Sequence, residues 1–242
     1  MQLYGIGDLH LSLGVPEKPM DIFHGWENYM QLLEQHWRAM VQPEDTVVLA
    51  GDLSWGMTLP QAKADFAFLE TLPGQKIILK GNHDYWWNSI SKVRALLPEN
   101  MYAIQNDALS LDGVVYCGTR GWNIPGEGQP ADPQDVKIFQ RELLRLEMSL
   151  QQAEKLARGS LPVVVMMHYP PLYKDLLSTP FTEILERYGA RTVVFGHLHG
   201  TGIRVGLEGL VRGIEYHLVS CDALHFSLRR IDESVFSPKN EI

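Results

Sequence analysis

Short runs of apolar, often β-branched residues alternate along the chain with longer segments of helical spacing. Each run is short enough for a buried strand, and most end at a glycine. Between the runs, apolar residues recur three and four positions apart, as on one face of a helix. The pattern predicts strands at residues 2–7, 46–51, 76–81, 113–118, 162–168 and 191–197, and helices at 25–41, 60–72, 133–158 and 180–188.

This alternation is typical of an α/β (α+β) fold, in which sheets are buried beneath helices. After Gly200 the helical spacing gives way to strand-like alternation and glycine turns, which predicts an antiparallel meander over about 201–231. The polar residues from Asp232 onward are expected to fray. We therefore expect a single domain over residues 1–242.

One stretch interrupts the alternation. Residues 121–133 are rich in proline and glycine and lead into the charged helix of 133–158, so 121–158 has the character of a loop and helix insertion. Such an insertion is either a lid over a site or an outer-layer helix with a solvated face. The outer-layer helix is the favoured interpretation.

Composition narrows the class of protein. The chain has 242 residues, 45% of them hydrophobic, and no run approaches the roughly 18 apolar residues of a membrane span. Strand-like sequence follows Met1 directly, without an export signal, so we expect a cytoplasmic protein that does not bind membranes. Cys117 and Cys221 are too far apart in sequence to suggest a thiolate zinc site or a disulfide framework. The net charge of −8 disfavours stable nucleic-acid binding.

Residues of metal-binding type follow five of the predicted strands. The segments are "GDLH", "GD", "GNHD", a single histidine after "MM", and "GHLH". Ligands gather outside the carboxyl ends of strands in α/β sheets. Residues i and i+2 of an extended segment face the same side, so both pairs in Asp-x-His and His-x-His order are predicted to converge. The candidates are Asp8, His10, Asp52, Asn82, His83, Asp84, His168, His197 and His199.

Each motif alone has an ordinary structural explanation. Asp8 and His10 fit a strand-end turn, Asp52 fits a helix cap, and His168 fits a buried core histidine. The ordered set is less easily explained in this way, because every member lies at the carboxyl end of a predicted strand. His24, His36, His217 and His225 are assigned no catalytic role.

The chemistry of the set favours two metal ions. Carboxylate, imidazole and amide ligands suit first-row divalent cations. Excluding His83 and Asp84, seven ligands remain, which is too many for one ion. Two ions that share a carboxylate, roughly 3.5–4 Å apart, are typical of sites for phosphoryl displacement. The set therefore predicts hydrolysis of a phosphate ester.

The ordered motifs resemble those of the calcineurin-like metallophosphoesterase superfamily, and they span residues 3–200. The resemblance implies a four-layer αββα sandwich. It also implies that Asp8, His10 and His199 hold one ion, that Asn82, His168 and His197 hold the other, and that Asp52 bridges them. His83 matches the family's histidine that is not a ligand and stabilises the transition state or protonates the leaving oxygen. Asp84 would orient His83.

We therefore expect a metal-dependent phosphohydrolase that uses a metal-bridging hydroxide for in-line attack on a phosphomonoester or small phosphodiester. The two ions would be Mn, Fe, Zn, Ni or Co, with Mn favoured. Arg120 is the candidate for contact with phosphate oxygens. Aromatic residues near the site, such as Trp55 and Trp122, either pack or stack on the substrate, and packing is the commoner case.

Three alternatives stay open. One is a nuclease, or a nucleotide or lipid pyrophosphatase, of the same superfamily. Another is a non-catalytic scaffold on this fold, which intact ligands argue against. The third is an HD-type hydrolase, which would need His83 and Asp84 on a helix, whereas the preceding "KIIL" predicts a strand.

Overall fold

The computed structural model describes residues 1–125 and 132–231. Residues 126–131 of the predicted loop, and the segment from Asp232 that we expect to fray, lie outside the described residues. The strands are β1 Leu3–Ile6, β2 Thr46–Leu49, β3 Gln75–Leu79, β4 Met101–Ile104, β5 Ala108–Leu111, β6 Val114–Thr119, β7 Val163–Met167, β8 Thr192–Phe195, β9 Gly209–Val211, β10 Ile214–Leu218 and β11 Arg229–Ile231. The helices are α1 Tyr29–Met40, α2 Leu59–Thr71, α3 Ile90–Arg94, α4 Pro133–Ala157 and α5 Pro180–Arg187, with a 3₁₀ helix at Gly200–Val205.

All the strands and helices predicted before Gly200 are present. They assemble into two sheets. The first has the order β11-β1-β2-β3-β4 and the second has the order β5-β6-β7-β8-β10-β9. The interior strands run parallel, and β11, β5 and β9 are antiparallel to their neighbours.

The strands are apolar on both faces because each face meets another layer. In β2, Val47 and Leu49 pack in a cluster with residues of α1 and α2, whereas Val48 packs in a cluster with residues of the second sheet. In β6, Val115 lies in a cluster with residues of α4 and α5. The three clusters form the interfaces of a helix–sheet–sheet–helix arrangement. The expected four-layer sandwich is confirmed.

The closing segment differs from the predicted meander. The glycine turn at Gly213 joins β9 and β10 into a hairpin, but β10 pairs in parallel with β8 in the second sheet. The chain then crosses to the first sheet, where β11 pairs with β1. Alternating hydrophobicity specifies which face of a strand is buried, and it does not specify the neighbouring strand.

Helix α4 packs along the second sheet. Its buried face includes Phe139, Leu146 and Leu150, in a cluster that also contains residues of β6 and α5. This packing places α4 in the outer layer. Within residues 1–125 and 132–231, no helix is long and apolar enough to cross a lipid bilayer.

Candidate metal centre

The seven predicted metal ligands lie together at the carboxyl ends of β1, β2, β3, β7 and β8. Asp8 Oδ1 is 3.3 Å from His199 Nε2 and 3.8 Å from His168 Nδ1. Asp52 Oδ2 is 3.9 Å from His10 Nε2 and 3.5 Å from His168 Nε2. These contacts join residues that follow the first sheet to residues that follow the second.

The backbone at the ends of these strands is not extended. Asp8, His10, Asp52 and His197 have φ of 59°, 47°, 52° and 72°, in the left-handed region. Such residues cost on the order of 1–3 kcal/mol each and persist where the surrounding structure holds them. The expectation that extended geometry aligns Asp8 with His10 is therefore wrong, because the chain turns sharply at both residues.

Two glycines allow the strand-end loops to approach each other. A Cβ added to Gly81 would overlap the Asp52 carboxylate, and a Cβ added to Gly196 would overlap the Asp8 carboxylate. The loops are also joined by hydrogen bonds, since Asp8 N donates to Gly51 O at 2.8 Å and His197 N donates to Asp8 Oδ2 at 3.0 Å. The glycines before Asn82 and His197 are thus a requirement of close packing.

One group of donor atoms surrounds Asn82. Its Oδ1 is 2.6 Å from His168 Nε2 and 3.0 Å from His197 Nδ1. His168 Nδ1 lies 2.9 Å from Ala50 O, and because a carbonyl only accepts, this nitrogen carries the proton. The unprotonated Nε2 of His168 therefore faces the centre, as a metal ligand requires.

The other group consists of Asp8, His10 and His199, whose ligand atoms all lie within 4.8 Å of one another. His199 Nδ1 is 3.0 Å from Asp222 Oδ1, and Asp222 Oδ2 accepts a hydrogen bond from Gly200 N at 2.9 Å. This contact turns His199 Nε2 toward Asp8. A carboxylate behind a histidine is the usual support of a metal-ligating imidazole.

The sequence reading missed Asp222. It follows β10 as the other candidates follow their strands, so the same rule would have found it. The sequence predicts an antiparallel meander over about 201–231. In such a meander the carboxyl end of β10 would not lie beside that of β8, so Asp222 would not be expected at the centre.

Metal ions would satisfy donor atoms of the centre that the neighbouring side chains leave without hydrogen bonds. Nδ1 of His10 is buried and has no hydrogen-bond partner among the described residues, and the buried Nε2 of His199 has no hydrogen bond there beyond its 3.3 Å ion-pair contact with Asp8 Oδ1. The ligand atoms of a second group, Asp8, Asp52 and His168, also lie within 4.8 Å of one another. Buried polar atoms without partners are costly unless a ligand satisfies them.

The pKa shifts of the side chains indicate that the centre also needs a positive charge. Burial, with repulsion from Asp8, raises the pKa of Asp52 to about 8. Burial lowers the pKa of His10 to about 3, and burial and the neighbouring His168 lower the pKa of His197 to about 3. A divalent cation would stabilise the carboxylate and use the neutral imidazoles as ligands.

The pKa shifts of Asp8 and His199 have opposing causes. Burial favours the neutral form of both, but their mutual attraction outweighs it. The pKa of Asp8 is held below its usual range, and Asp8 and Asp222 together raise that of His199 to about 10. His199 must therefore release a proton before it can bind a metal ion.

His83 lies beside the ligands. Its ring centroid is 5.6 Å from that of His10 and 4.9 Å from that of Trp55. Its Nδ1 has no hydrogen-bond partner among the described residues. Burial lowers the pKa of His83, so the neutral imidazole is favoured in the absence of substrate and ions.

Asp84 does not orient His83, contrary to the role that the resemblance implied. No hydrogen bond joins the two side chains in the described part of the chain. Instead the wholly buried Asp84 carboxylate accepts hydrogen bonds from five groups around it. They are Asp52 N at 2.9 Å, Leu53 N at 2.9 Å, Ser54 N at 3.3 Å, Gly81 N at 2.7 Å and Trp86 Nε1 at 3.0 Å. These donors take up both oxygens of the carboxylate, so Asp84 holds the loop that carries Asp52.

Arg120 lies on the His197 side of the centre. Its guanidinium carbon is 4.6 Å from the ring centroid of Trp122, which contacts Tyr169 at 5.2 Å. The Tyr169 ring covers His197 at 4.1 Å. Arg120 Nη2 is also 3.9 Å from the buried Glu142, a carboxylate of α4 that the sequence reading did not single out.

Comparison with known proteins agrees with this geometry. The family model for calcineurin-like phosphoesterases matches residues 1–201. The chain belongs to the calcineurin-like phosphoesterase family. The resemblance seen in the sequence motifs is thus confirmed, and the chain is a metal-dependent phosphoester hydrolase of this family.

Solved structures share the fold of this calcineurin-like phosphoesterase. A phosphopantetheinyl hydrolase from Mycobacterium tuberculosis is 16% identical over 95% of both chains, with a TM-score of 0.57. A protein of unknown function from Aquifex aeolicus is 18% identical over 95% of both chains, with a TM-score of 0.49. At these identities the likeness concerns the fold alone. No curated protein sequence matches the chain significantly.

Proposed function

We propose that this phosphoesterase hydrolyses a phosphomonoester or a small phosphodiester at the centre described above. Asp8, His10 and His199 would hold one divalent ion. Asn82, His168 and His197 would hold the second. The observation that carries the proposal is the meeting of these side chains from two sheets, with ligand atoms of Asp8, His10 and His199, and of Asp8, Asp52 and His168, within 4.8 Å of one another in each group.

Asp52 is the candidate for the shared ligand. Its Oδ2 lies within 4 Å of His10, in the first group, and of His168, in the second. Its other oxygen accepts a hydrogen bond from His83 N at 2.7 Å, which limits the rotation of the carboxylate. This position between the two groups supports a bridging role.

The chain's own residues divide the remaining work. Bound divalent ions would neutralise phosphate charge and lower the pKa of a water molecule. Asp222 and the Ala50 carbonyl hold the imidazoles of His199 and His168 in position. Arg120 would bind a phosphate oxygen, and His83 would bind the oxygen of the leaving group.

The donor set limits the ions only loosely. It accepts Mn, Fe, Zn, Ni or Co, and we propose Mn. The Cys221 thiol donates to Asp8 O at 3.0 Å, a backbone oxygen, and Cys221 is not in either group of possible ligands among the described residues, whose donor atoms are oxygen and nitrogen.

The partner is proposed to be a small phosphate ester in the cytoplasm. The net charge of −8 disfavours a long polyanion such as nucleic acid. Both cysteines are free and buried, which fits a reducing compartment.

The test combines metal content with turnover. The purified chain is stripped with a chelator, reloaded with Mn(II), and assayed with p-nitrophenyl phosphate and its bis-ester. Two ions per chain and metal-dependent hydrolysis are expected, and the ratio of the two rates separates monoesterase from diesterase. Asp52→Asn should lose turnover and bind both ions weakly, whereas the same change at the exposed Asp175 should alter neither. Bound ions without hydrolysis of any phosphate ester would favour a scaffold.

A further inference from the structure

A cavity of about 680 Å³ opens directly beside the candidate metal centre. Two proposed ligands, His10 and His199, form part of its wall. The rest is dominated by large apolar side chains, namely Met20, Phe23, Trp26, Trp55, Ile203 and Phe226. A pocket of this volume that shares a wall with the ligands is a natural place for part of the substrate.

The charge of the lining limits what the cavity can hold. Within the part of the chain that the structure describes, the lining contains no lysine or arginine, and its histidines besides the two proposed ligands are His24 and His225. Its carboxylate, Asp222, is already engaged with His199 Nδ1 and Gly200 N. A second phosphate placed there would lose its hydration without gaining a guanidinium or ammonium partner. The cavity therefore suits an uncharged group.

The arrangement around the centre gives the substrate a direction. Arg120 lies on the His197 side, through Trp122 and Tyr169. The cavity lies next to His10 and His199, which belong to the other group of proposed ligands. A phosphate held between them would direct its free oxygens toward Arg120 and its organic group into the cavity.

His83 lies at the boundary between centre and cavity. Its ring is 4.9 Å from that of Trp55, whose ring also stacks on His10 at 4.8 Å. An ester oxygen at the mouth of the cavity would be next to His83. The group in the cavity is then the one that departs.

We propose that the cavity binds the leaving alcohol of the substrate and that this alcohol is an uncharged aromatic or branched apolar group. This inference rests on the proposed phosphoester hydrolysis. In the reaction, the oxygen of water bonds to phosphorus and the P–O bond to the alcohol breaks. The proton that the attacking water gives up passes to solvent, and the leaving oxygen, on the opposite face of phosphorus next to His83, takes one proton to become the alcohol.

Binding of analogues that cannot be hydrolysed tests the cavity. Calorimetry with the Mn-loaded protein would compare 2-naphthylmethylphosphonate with methylphosphonate, which share the phosphonate and differ in the apolar group. The naphthyl compound should bind at least about 10-fold more tightly.

Substitutions in the cavity wall test whether the preference for the naphthyl compound arises in the cavity. Phe23→Ala and Ile203→Ala remove apolar wall and should each reduce the naphthyl preference about 3- to 10-fold, with unchanged metal content. Phe23 is 53% exposed, so its replacement does not threaten the fold. Leu144→Ala, at a side chain of α4 that is 63% exposed and outside the cavity, is the matched control and should leave the preference unchanged.

The outcomes separate this inference from the proposed function. An unchanged naphthyl preference in both cavity variants would overturn the cavity assignment even if p-nitrophenyl phosphate is hydrolysed. If no phosphate ester is hydrolysed but the variants weaken naphthyl binding as expected, apolar binding in the cavity stands and the hydrolytic function fails. A larger kcat/KM for 2-naphthyl phosphate than for phenyl phosphate, lost in Phe23→Ala, would support both.

Discussion

Asp84 is a buried residue that organises the centre from behind. Its carboxylate receives hydrogen bonds from backbone groups of Asp52, Leu53 and Gly81, which belong to two strand-end loops. Burial, with repulsion from Asp52, raises the pKa of Asp84 to about 6, and the hydrogen bonds favour the ionised form. The geometry of Asp52 thus depends on a residue that does not face the cleft.

Asp84→Asn should loosen this arrangement. An amide can accept through only one of its two polar atoms, so at least one buried N–H loses its partner, at a cost of about 1–3 kcal/mol. We expect the free energy of unfolding in urea to fall by about that amount and metal content to decrease. Asp175→Asn is the exposed control. Wild-type stability together with full metal content in Asp84→Asn would contradict this role.

His83 provides the complementary case of a residue that faces the cleft without a partner. His83→Ala should keep both ions, because His83 belongs to neither group of possible metal ligands among the described residues. The rate should fall about 10²- to 10⁴-fold, the usual worth of a positioned acid or base. The measurements are kcat and metal content. Loss of metal from this variant would make His83 a ligand instead.

The sequence indicates which candidate side chains lie together better than it indicates the contacts that hold them. A candidate ligand at a strand end is visible as a polar residue after an apolar run, as for Asp8 and His168. The role of Asp84 was not visible, because its partners are backbone N–H groups that carry no side-chain signal. The left-handed φ of Asp8 and His10 was also hidden, since it is imposed by loops that meet only in the folded chain.

At the level of elements, β3 carries a buried charge in its otherwise apolar run. Lys76 is 0% exposed, and its Nζ donates to Leu72 O at the end of α2. Burial lowers the pKa of Lys76 from 10.5 to about 8. For a basic group whose pKa is lower in the folded chain, the contribution to stability is complete when the pH is above the pKa in the unfolded chain. That contribution is lost as the pH falls through the pKa in the folded chain. At pH 7 the folded chain therefore carries an unfavourable ammonium group.

Lys76→Met should stabilise the protein at pH 7. The lowered pKa of Lys76 corresponds to a destabilisation of the folded state by about 3 kcal/mol, which the substitution removes. The substitution also removes the hydrogen bond to Leu72, at a cost of about 1 kcal/mol, so the free energy of unfolding should rise by about 2 kcal/mol. Urea unfolding at pH 7 and at pH 10 measures it, and the gain should shrink at the higher pH. An equal effect at both values would show that the charge of Lys76 is not the cause.

The elements that the sequence predicted are those with long or strongly apolar patterns. The runs that became β2 and β7 are apolar on both faces because they lie between two layers. The elements that it missed are short, such as β4, β5 and α3, and β5 is largely half-exposed at the edge of its sheet. The partner of β11 was also unpredictable, because pairing with β1 depends on a crossover between sheets.

At the scale of the whole molecule, the centre exists only when both sheets are packed together. Asp8, His10, Asp52 and Asn82 follow strands of the first sheet, whereas His168, His197 and His199 follow strands of the second. The apolar cluster between the sheets, which includes Val48 and Val164, sets the distance between the two halves. Metal binding and folding are therefore coupled, since the unfolded chain has no preformed site.

Removal of metal should lower the melting temperature. An ion present at 100 times its Kd stabilises the native state by about 2.7 kcal/mol, and each 1 kcal/mol corresponds to roughly 2–4 °C for a chain of this size. Thermal unfolding with Mn(II) and with a chelator should thus differ by several degrees. In Asp52→Asn the difference should shrink, because this carboxylate lies between the two groups of donors. Equal melting temperatures with and without Mn(II) for the unaltered chain would mean that the two halves do not form a tight metal site.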